Sequence, residues 1–216
     1  MFYILPLDGA EEKDLAALLP FLSEQRRKKV DSYRFFADKM SSAAAFCLLI
    51  AAVWQEKKIK IEPTFEFGPN EKPYFAAAPR LFFSLSHDRK GVGVCLGEEE
   101  VGADVQEKIP YDLNLAKRVL SNRELSRFDD KPSDELFTMM WTMKESLGKK
   151  TGEGVYPVLM KTDFSHVKEG VNQIGELYYT VGRINDLFYA ACADRPQEVG
   201  VVTMSKLVET LAETAL

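Results

Sequence analysis

Asp104 and Gln106 lie in the segment Val101-Gly102-Ala103-Asp104-Val105-Gln106. Read as a strand, this segment turns both side chains to one face and Ala103 and Val105 to the other, because strand side chains alternate with a period of two. A carboxylate on an inward-facing strand is costly unless it is paired or bound to a cation. Carboxylate and amide oxygens, together with water and phosphate, are what magnesium prefers. The rival reading is an edge strand whose polar side is simply wet. In Trp141-Thr142-Met143-Lys144-Glu145-Ser146-Leu147-Gly148-Lys149-Lys150, Glu145 and Lys149 stand four apart and share a helix face. Trp141 stands four before Glu145, and Lys144 occupies a different angular position. Such a pair could equally be a surface ion pair worth roughly 0.2–0.5 kcal/mol. His87, one of two histidines, follows Ser84 and Ser86 at a strand-to-loop transition. It could donate to a phosphate, take up a proton near neutral pH, or act as a local loop hydrogen-bonder. Cations cluster at Arg26, Arg27, Lys28 and Lys29, with Lys72 and Arg89-Lys90 further on. They suit a phosphate pocket or a solvated helix face. The chain has no Walker loop, GxGxxG, CxxC, HExxH or GxSxG signature, and His166, among polar residues, receives no role.

These groups need elements to hold them. Phe2 to Leu7 reads as a strand, and Asp14 to Leu22 as a helix that could extend through the basic run. Ala43 to Val53, rich in Ala and Leu and without a polar face, predicts a buried helix. Lys58 to Phe67 alternates as a half-exposed strand, and the Pro- and Gly-containing stretch after it predicts loops. Gly91 to Leu96 and Val101 to Val105 read as strands joined through Glu98-Glu99-Glu100, and the expectation is that they pair as a hairpin. Leu113 to Leu120 reads as helix, and Ser121 with Glu124 has capping-box spacing for the next one. Ser133 to Lys150 carries Leu136, Met140, Met143 and Leu147 as an apolar stripe, ended by Gly152 and Gly154. Two strands flanking Asn185-Asp186 and an amphipathic tail complete the chain. The succession hints at two similar α+β halves with a cleft between them.

The composition is that of a globular protein: 216 residues, 46% hydrophobic, net charge -5. A chain of this length buries roughly two thirds of its unfolded surface. Net acidity disfavours a nucleic-acid partner while leaving room for a local anion pocket. Cys47, Cys95 and Cys192 stand far apart in apolar surroundings, which predicts buried thiols in a reducing cytoplasm. The first residues lack a basic leader region, and no apolar run reaches the about 18–20 residues that span a bilayer, so no membrane association is expected.

Taken in order, Lys72-Pro73, Ser84-Leu85-Ser86-His87, Gly102-Ala103-Asp104-Val105-Gln106, Ser121-Asn122-Arg123-Glu124 and Trp141-x-x-Lys144-Glu145-x-x-x-Lys149 resemble the 4'-phosphopantetheinyl transferase superfamily. The likeness is greatest to its monomeric, double-length, surfactin-synthetase-activating type, and covers essentially the whole chain. It implies an α+β fold of two similar α/β subdomains, residues 1–103 and 104–216, packed as a pseudo-dimer with the active site in the cleft. It implies magnesium-dependent transfer of the phosphopantetheine arm of coenzyme A to a serine of an apo acyl or peptidyl carrier protein, releasing adenosine 3',5'-bisphosphate. By resemblance, Asp104, Gln106 and Glu145 are the metal ligands, Gln106 standing where many members carry a carboxylate. Glu145, Lys149 and His87 are the catalytic groups. Arg26, Lys29, Ser42, Lys72, Ser86, His87 and Lys149 would hold coenzyme A, although the arginine usual before that hydroxyl is here Ser41. On helical spacing, Leu113, Leu115, Lys117 and Arg118 are the candidates for a carrier-protein rim, the rival reading being a core helix face. The resemblance implies a monomer in the cytoplasm. Two rivals remain: another magnesium-dependent nucleotide phosphotransferase or hydrolase, and a noncatalytic scaffold.

Overall fold

Two four-stranded sheets lie back to back, each covered on its outer face by one long helix. The structure, a computed structural model, describes residues 1–60, 65–68, 72–75, 78, 80–154 and 162–215. The first sheet has the order β10-β1-β5-β4, built from β1 (Phe2–Pro6), β4 (Phe82–Asp88), β5 (Gly91–Gly97) and β10 (Val199–Val201). The second has the order β6-β9-β8-β7, from β6 (Gly102–Glu107), β7 (Gly170–Ile174), β8 (Leu177–Ile184) and β9 (Leu187–Ala193). All neighbours are antiparallel except β1 and β10, which run parallel. The class is α+β.

Alternation sorts each strand between layers. On β1, Phe2 and Ile4 face the second sheet while Tyr3 and Leu5 face helix α3 (Phe36–Lys57). On β9, Leu187, Ala191 and Ala193 face the first sheet while Phe188, Ala190 and Cys192 face helix α6 (Asp134–Thr151). All three thiols are buried and free, and burial pushes each up to about 12. They are inert packing groups.

The expected β5–β6 hairpin does not form. Both edges of β5 are taken, by β1 and β4, and β6 pairs with β9 instead. The reason lies in the side chains: Val101, Ala103 and Val105 pack face to face against Phe2, Ile4 and Cys95, so the turn after Gly97 carries the chain from one sheet to the other. The helix expected from Asp14 to Leu22 also breaks. After α1 (Glu12–Leu18) a 3-10 turn contains Pro20, and Ser23 caps a separate α2 (Glu24–Ser32) carrying the basic run, its hydroxyl accepting from the Arg26 amide. Helix α3 is longer than Ala43–Val53 and, at 22 residues, long and apolar enough on composition alone to cross a membrane; 78% of its most apolar window is buried within the protein. Lys58 ends it in the left-handed conformation (φ 54°). Of the strand expected over 58–67, residues 61–64 lie outside the described residues, Lys58–Lys60 follow the helix, and β2 (Phe65–Phe67) is real. β2 pairs with β3 (Pro73–Phe75), inside the stretch expected to be loop.

In the second half, α4 (Leu113–Val119) is capped by Asp112 and α5 (Asn122–Leu125) by the Ser121–Glu124 capping box. Ser133 caps α6 and Gly152, at φ 72°, ends it; Met140, Met143 and Leu147 face the core, and Leu136 is half-buried. Helix α6 crosses β6 at Gly102, where a Cβ would overlap the Ser146 carbonyl oxygen and the Lys150 amide nitrogen. That backbone-to-backbone approach brings Lys149 down to Asp104. Gly102→Ala is therefore expected to lift α6, costing about 1–3 kcal/mol. At roughly 2–4 °C per kcal/mol for this size, a thermal melt should fall by about 2–12 °C. Finally α7 (Met204–Ala215) returns to pack Leu207 and Leu211 into the α3 core.

Candidate functional site

Strand β4 makes the floor. Phe83 and Leu85 face the α3 core, so Ser84 and Ser86 point the other way, toward β6. A ladder of polar rungs joins the strands: the Ala103 amide donates to Ser84 Oγ (2.9 Å), Ser86 Oγ donates to Asp104 Oδ1 (2.8 Å), and Gln106 Nε2 donates to Asp88 Oδ2 (3.2 Å). From α6, Lys149 Nζ reaches down to Asp104 Oδ1 (2.6 Å) and Ser86 Oγ (2.9 Å). The pair of Glu145 and Lys149 is thus no plain surface ion pair, since the lysine bonds to the strand carboxylate.

Asp104 is buried, 5% exposed, and its Oδ2 has no hydrogen-bond partner among the described residues. Half a buried carboxylate left unsatisfied costs a few kcal/mol and marks a place for a cation. Glu145 adds to this. Its carboxyl is pushed above the usual carboxylate range by burial first and the negative field of Asp104 second, with Lys149 opposing. A charge set that repels itself without an ion, built from hard oxygens on two rigid elements, is the donor chemistry that suits magnesium. Gln106, on the same face of β6, would offer a third oxygen of amide type, and among the described residues no group of three or more His, Cys, Asp or Glu gathers as a metal cluster.

His87 belongs to β4 itself, not to the loop after it. Its ring keeps an exposed edge, but the crowded cleft around it strips away enough water to hold its pKa down, helped by Lys149, Arg26 and Lys29 and opposed by Asp88. The shift favours the neutral ring. The field of Arg26 and Lys29 on His87 places the basic run beside the same space. Arg26 lies over the Phe46 ring (4.7 Å) and its Nη2 donates to the Ser42 carbonyl (3.4 Å). Arg26 Nε and Ser42 Oγ are both buried without a partner among the described residues. Arg26 and exposed Lys29 line a recess of about 290 Å³ with Phe46, Phe65 and Phe67. Two orphaned polar groups beside cations that have no ion pair among the described residues are suited to a phosphate.

Lys72 sits differently. Its ammonium pairs with Glu100 and donates to the carbonyls of Val101 and Lys150 (both 3.1 Å), tying the end of α6 to the start of β6. It still lines a cleft of about 260 Å³ with Phe83, Leu85, Glu145 and Lys149. On α4, Leu113, Lys117 and Arg118 are exposed and Leu115 half-buried, whereas Ala116 and Val119 face inward. One buried pair escaped the sequence reading. Lys144 Nζ, fully buried, bonds Glu124 Oε1 (2.9 Å) and donates to the Thr162 carbonyl (3.4 Å). Glu124 also accepts from the amides of Phe164 (2.9 Å) and Ser121 (2.6 Å). Burial lowers the Lys144 pKa, with Glu124 opposing. The signal was present in that Lys144 falls between Met140 and Leu147, on the apolar stripe.

Arg26→Gln is expected to raise KM for an anionic substrate about tenfold, the loss of a charge-assisted phosphate contact of roughly 1.5 kcal/mol. Steady-state kinetics should show kcat changing far less.

Comparison with known proteins converges on one family. A family model described as the 4'-phosphopantetheinyl transferase superfamily matches residues 100–192. A 4'-phosphopantetheinyl transferase of Bacillus pumilus, psf-1, is 30% identical over 155 residues, covering 69% of this chain and 66% of its own length. The 4'-phosphopantetheinyl transferase Sfp of Bacillus subtilis strain 168 is 26% identical over 141 residues, 63% of each chain. The L-aminoadipate-semialdehyde dehydrogenase-phosphopantetheinyl transferase of Saccharomyces cerevisiae is 24% identical over 225 aligned positions, covering 95% of this chain and 79% of its own. The chain thus spans just under two thirds of the length of these Bacillus relatives.

Proposed function

Because the chain belongs to the 4'-phosphopantetheinyl transferase superfamily, we propose that it transfers the phosphopantetheine arm of coenzyme A to a serine of an apo acyl or peptidyl carrier protein. Superfamily membership makes it one of a family of enzymes. The observation that carries it is Asp104, buried with one oxygen held by Lys149 and Ser86 and the other without a hydrogen-bond partner among the described residues. Asp104, Glu145 and the amide oxygen of Gln106 would hold Mg2+. When bound, the ion would neutralise charge on the pyrophosphate under attack.

The rest of the work falls to side chains already in place. Arg26, Lys29 and the Ser42 hydroxyl would grip the phosphates at the nucleotide end, and neutral His87 would donate to a phosphoryl oxygen. Lys72, already neutralised by Glu100, would line the cleft rather than carry phosphate charge. The carrier serine oxygen attacks the β-phosphorus, and the bond from that phosphorus to the oxygen bridging to the α-phosphate breaks. The leaving group is adenosine 3',5'-bisphosphate. The serine proton goes to Glu145. Lys149 offsets charge on the departing phosphate. The exposed face of α4, with Leu113, Lys117 and Arg118, suits an acidic helical partner. One chain carries all of these residues, so the proposed reaction needs no second subunit.

Intact-mass analysis of an apo carrier protein incubated with the enzyme, coenzyme A and Mg2+ tests this directly. The expected gain is about 340 Da, the phosphopantetheinyl group left by phosphoryl transfer. No gain on acyl and peptidyl carriers alike, with coenzyme A consumed, would point to a hydrolase. With coenzyme A untouched it would point to a scaffold.

A further inference from the structure

We infer that Asp88 is a positioning residue for the metal site, fixing the amide of Gln106 so that its oxygen is the atom offered to the ion. This rests on the magnesium reading above and deepens it. Ser84, Ser86 and Asp88 are alternate residues on β4, and each makes a rung to β6. The first two rungs involve Ala103 and Asp104; the last is Asp88 Oδ2 accepting from Gln106 Nε2 at 3.2 Å.

A side-chain amide has a donor end and an acceptor end of nearly the same shape. A carboxylate can only accept, so Asp88 admits one of the two orientations: Nε2 toward Asp88, Oε1 away from it. Asp88 is itself held, since its Oδ1 accepts from the Lys90 amide at 3.1 Å. Asp88 does not gather with Asp104 and Glu145 as a group of acidic metal ligands among the described residues. It stands behind Gln106, as an outer partner stands behind a ligating side chain. A negative charge held there also compensates in part for the neutral group at position 106, because its field adds to that of Asp104 and Glu145.

Asp88→Asn makes the inference sharp. The Lys90 amide still demands an oxygen, so the new Nδ2 would face Gln106 and turn its amide round, Nε2 toward the ion. The probe is Mn2+, an oxygen-seeking stand-in for Mg2+, titrated into the full metal-free chain and followed by the electron paramagnetic resonance of the free ion. Wild type should bind one Mn2+ that Mg2+ displaces. Asp88→Asn should bind about tenfold more weakly, with the melting temperature nearly unchanged. Asp88→Asn combined with Gln106→Glu should recover the affinity, because Glu can accept from Asn Nδ2 with one oxygen and serve the ion with the other. A merely structural Asp88 would lower the melting temperature and would not be rescued at position 106. Wild-type affinity in Asp88→Asn, or a double variant as weak as the single one, would overturn the inference alone. Unchanged Mn2+ binding in Asp104→Ala would remove the metal site beneath it as well.

Discussion

Asp104→Ala is expected to cut the rate of carrier modification by about 100- to 10,000-fold, several kcal/mol of lost charge stabilisation at tenfold per 1.4 kcal/mol, while the protein melts no lower than wild type. The two halves of this expectation come from the same atoms. Asp104 Oδ1 is well bonded, to Ser86 and Lys149, but Oδ2 is buried and unpartnered among the described residues. In the metal-free protein that oxygen is a cost, and alanine removes it. Lys149, about a third exposed, can turn its ammonium to water once its partner is gone. A residue that costs stability yet cannot be lost without losing activity is a mark of a functional site. Intact-mass kinetics and a thermal melt on the same preparation check it. A fall in melting temperature matching the fall in rate would assign Asp104 to the fold instead.

The second large effect runs the opposite way. Lys144→Met should lower stability by about 3–5 kcal/mol, because it leaves Glu124 as an unpaired charge with no access to water. For a chain of this size that is a drop of about 6–20 °C in the melting temperature. Adding Glu124→Gln should recover part of the loss. Gln can still accept from the Phe164 amide through its one oxygen, but it cannot also accept from the Ser121 amide as Glu124 does. Full recovery would mean the capping box adds nothing; no recovery would mean the charge was not the problem. The neighbouring residues Lys144 and Glu145 thus divide two tasks, one facing into the core and one into the cleft.

Local periodicity carried much of this site. Alternation along β6 put Asp104 and Gln106 on one face, and the four-residue spacing on α6 put Glu145 and Lys149 together. Composition alone identified α3 as core, and the capping box at Ser121 was legible from two residues three apart. What could not be read depends on contacts across long stretches of chain. Strands β5 and β6 look like a hairpin because they are neighbours in sequence, but β5 had already been claimed on both edges by β1 and β4. Lys72 reads as a phosphate ligand because it is basic and precedes a proline; its pairing with Glu100 and its bonds to carbonyls 29 and 78 residues away could not be read from its neighbours. Lys144 reads only as a residue at a different angular position from Glu145 until Glu124, reaching in from its cap, is seen to meet it.

Strand β10 has a further consequence for how this cleft can work. Its parallel pairing with β1 and the packing of α7 on α3 return the end of the described chain to the first sheet, after β7, β8 and β9 have built the second. The second lobe is therefore stitched to the first at two seams, one after Gly97 and one before Val199. A lobe held by one strand can swing like a door, whereas one held at both edges behaves like a pocket sewn to a coat. On the proposed function, two large substrates would then slip into an opening of set width, and adjustment falls to side chains at its mouth rather than to a hinge.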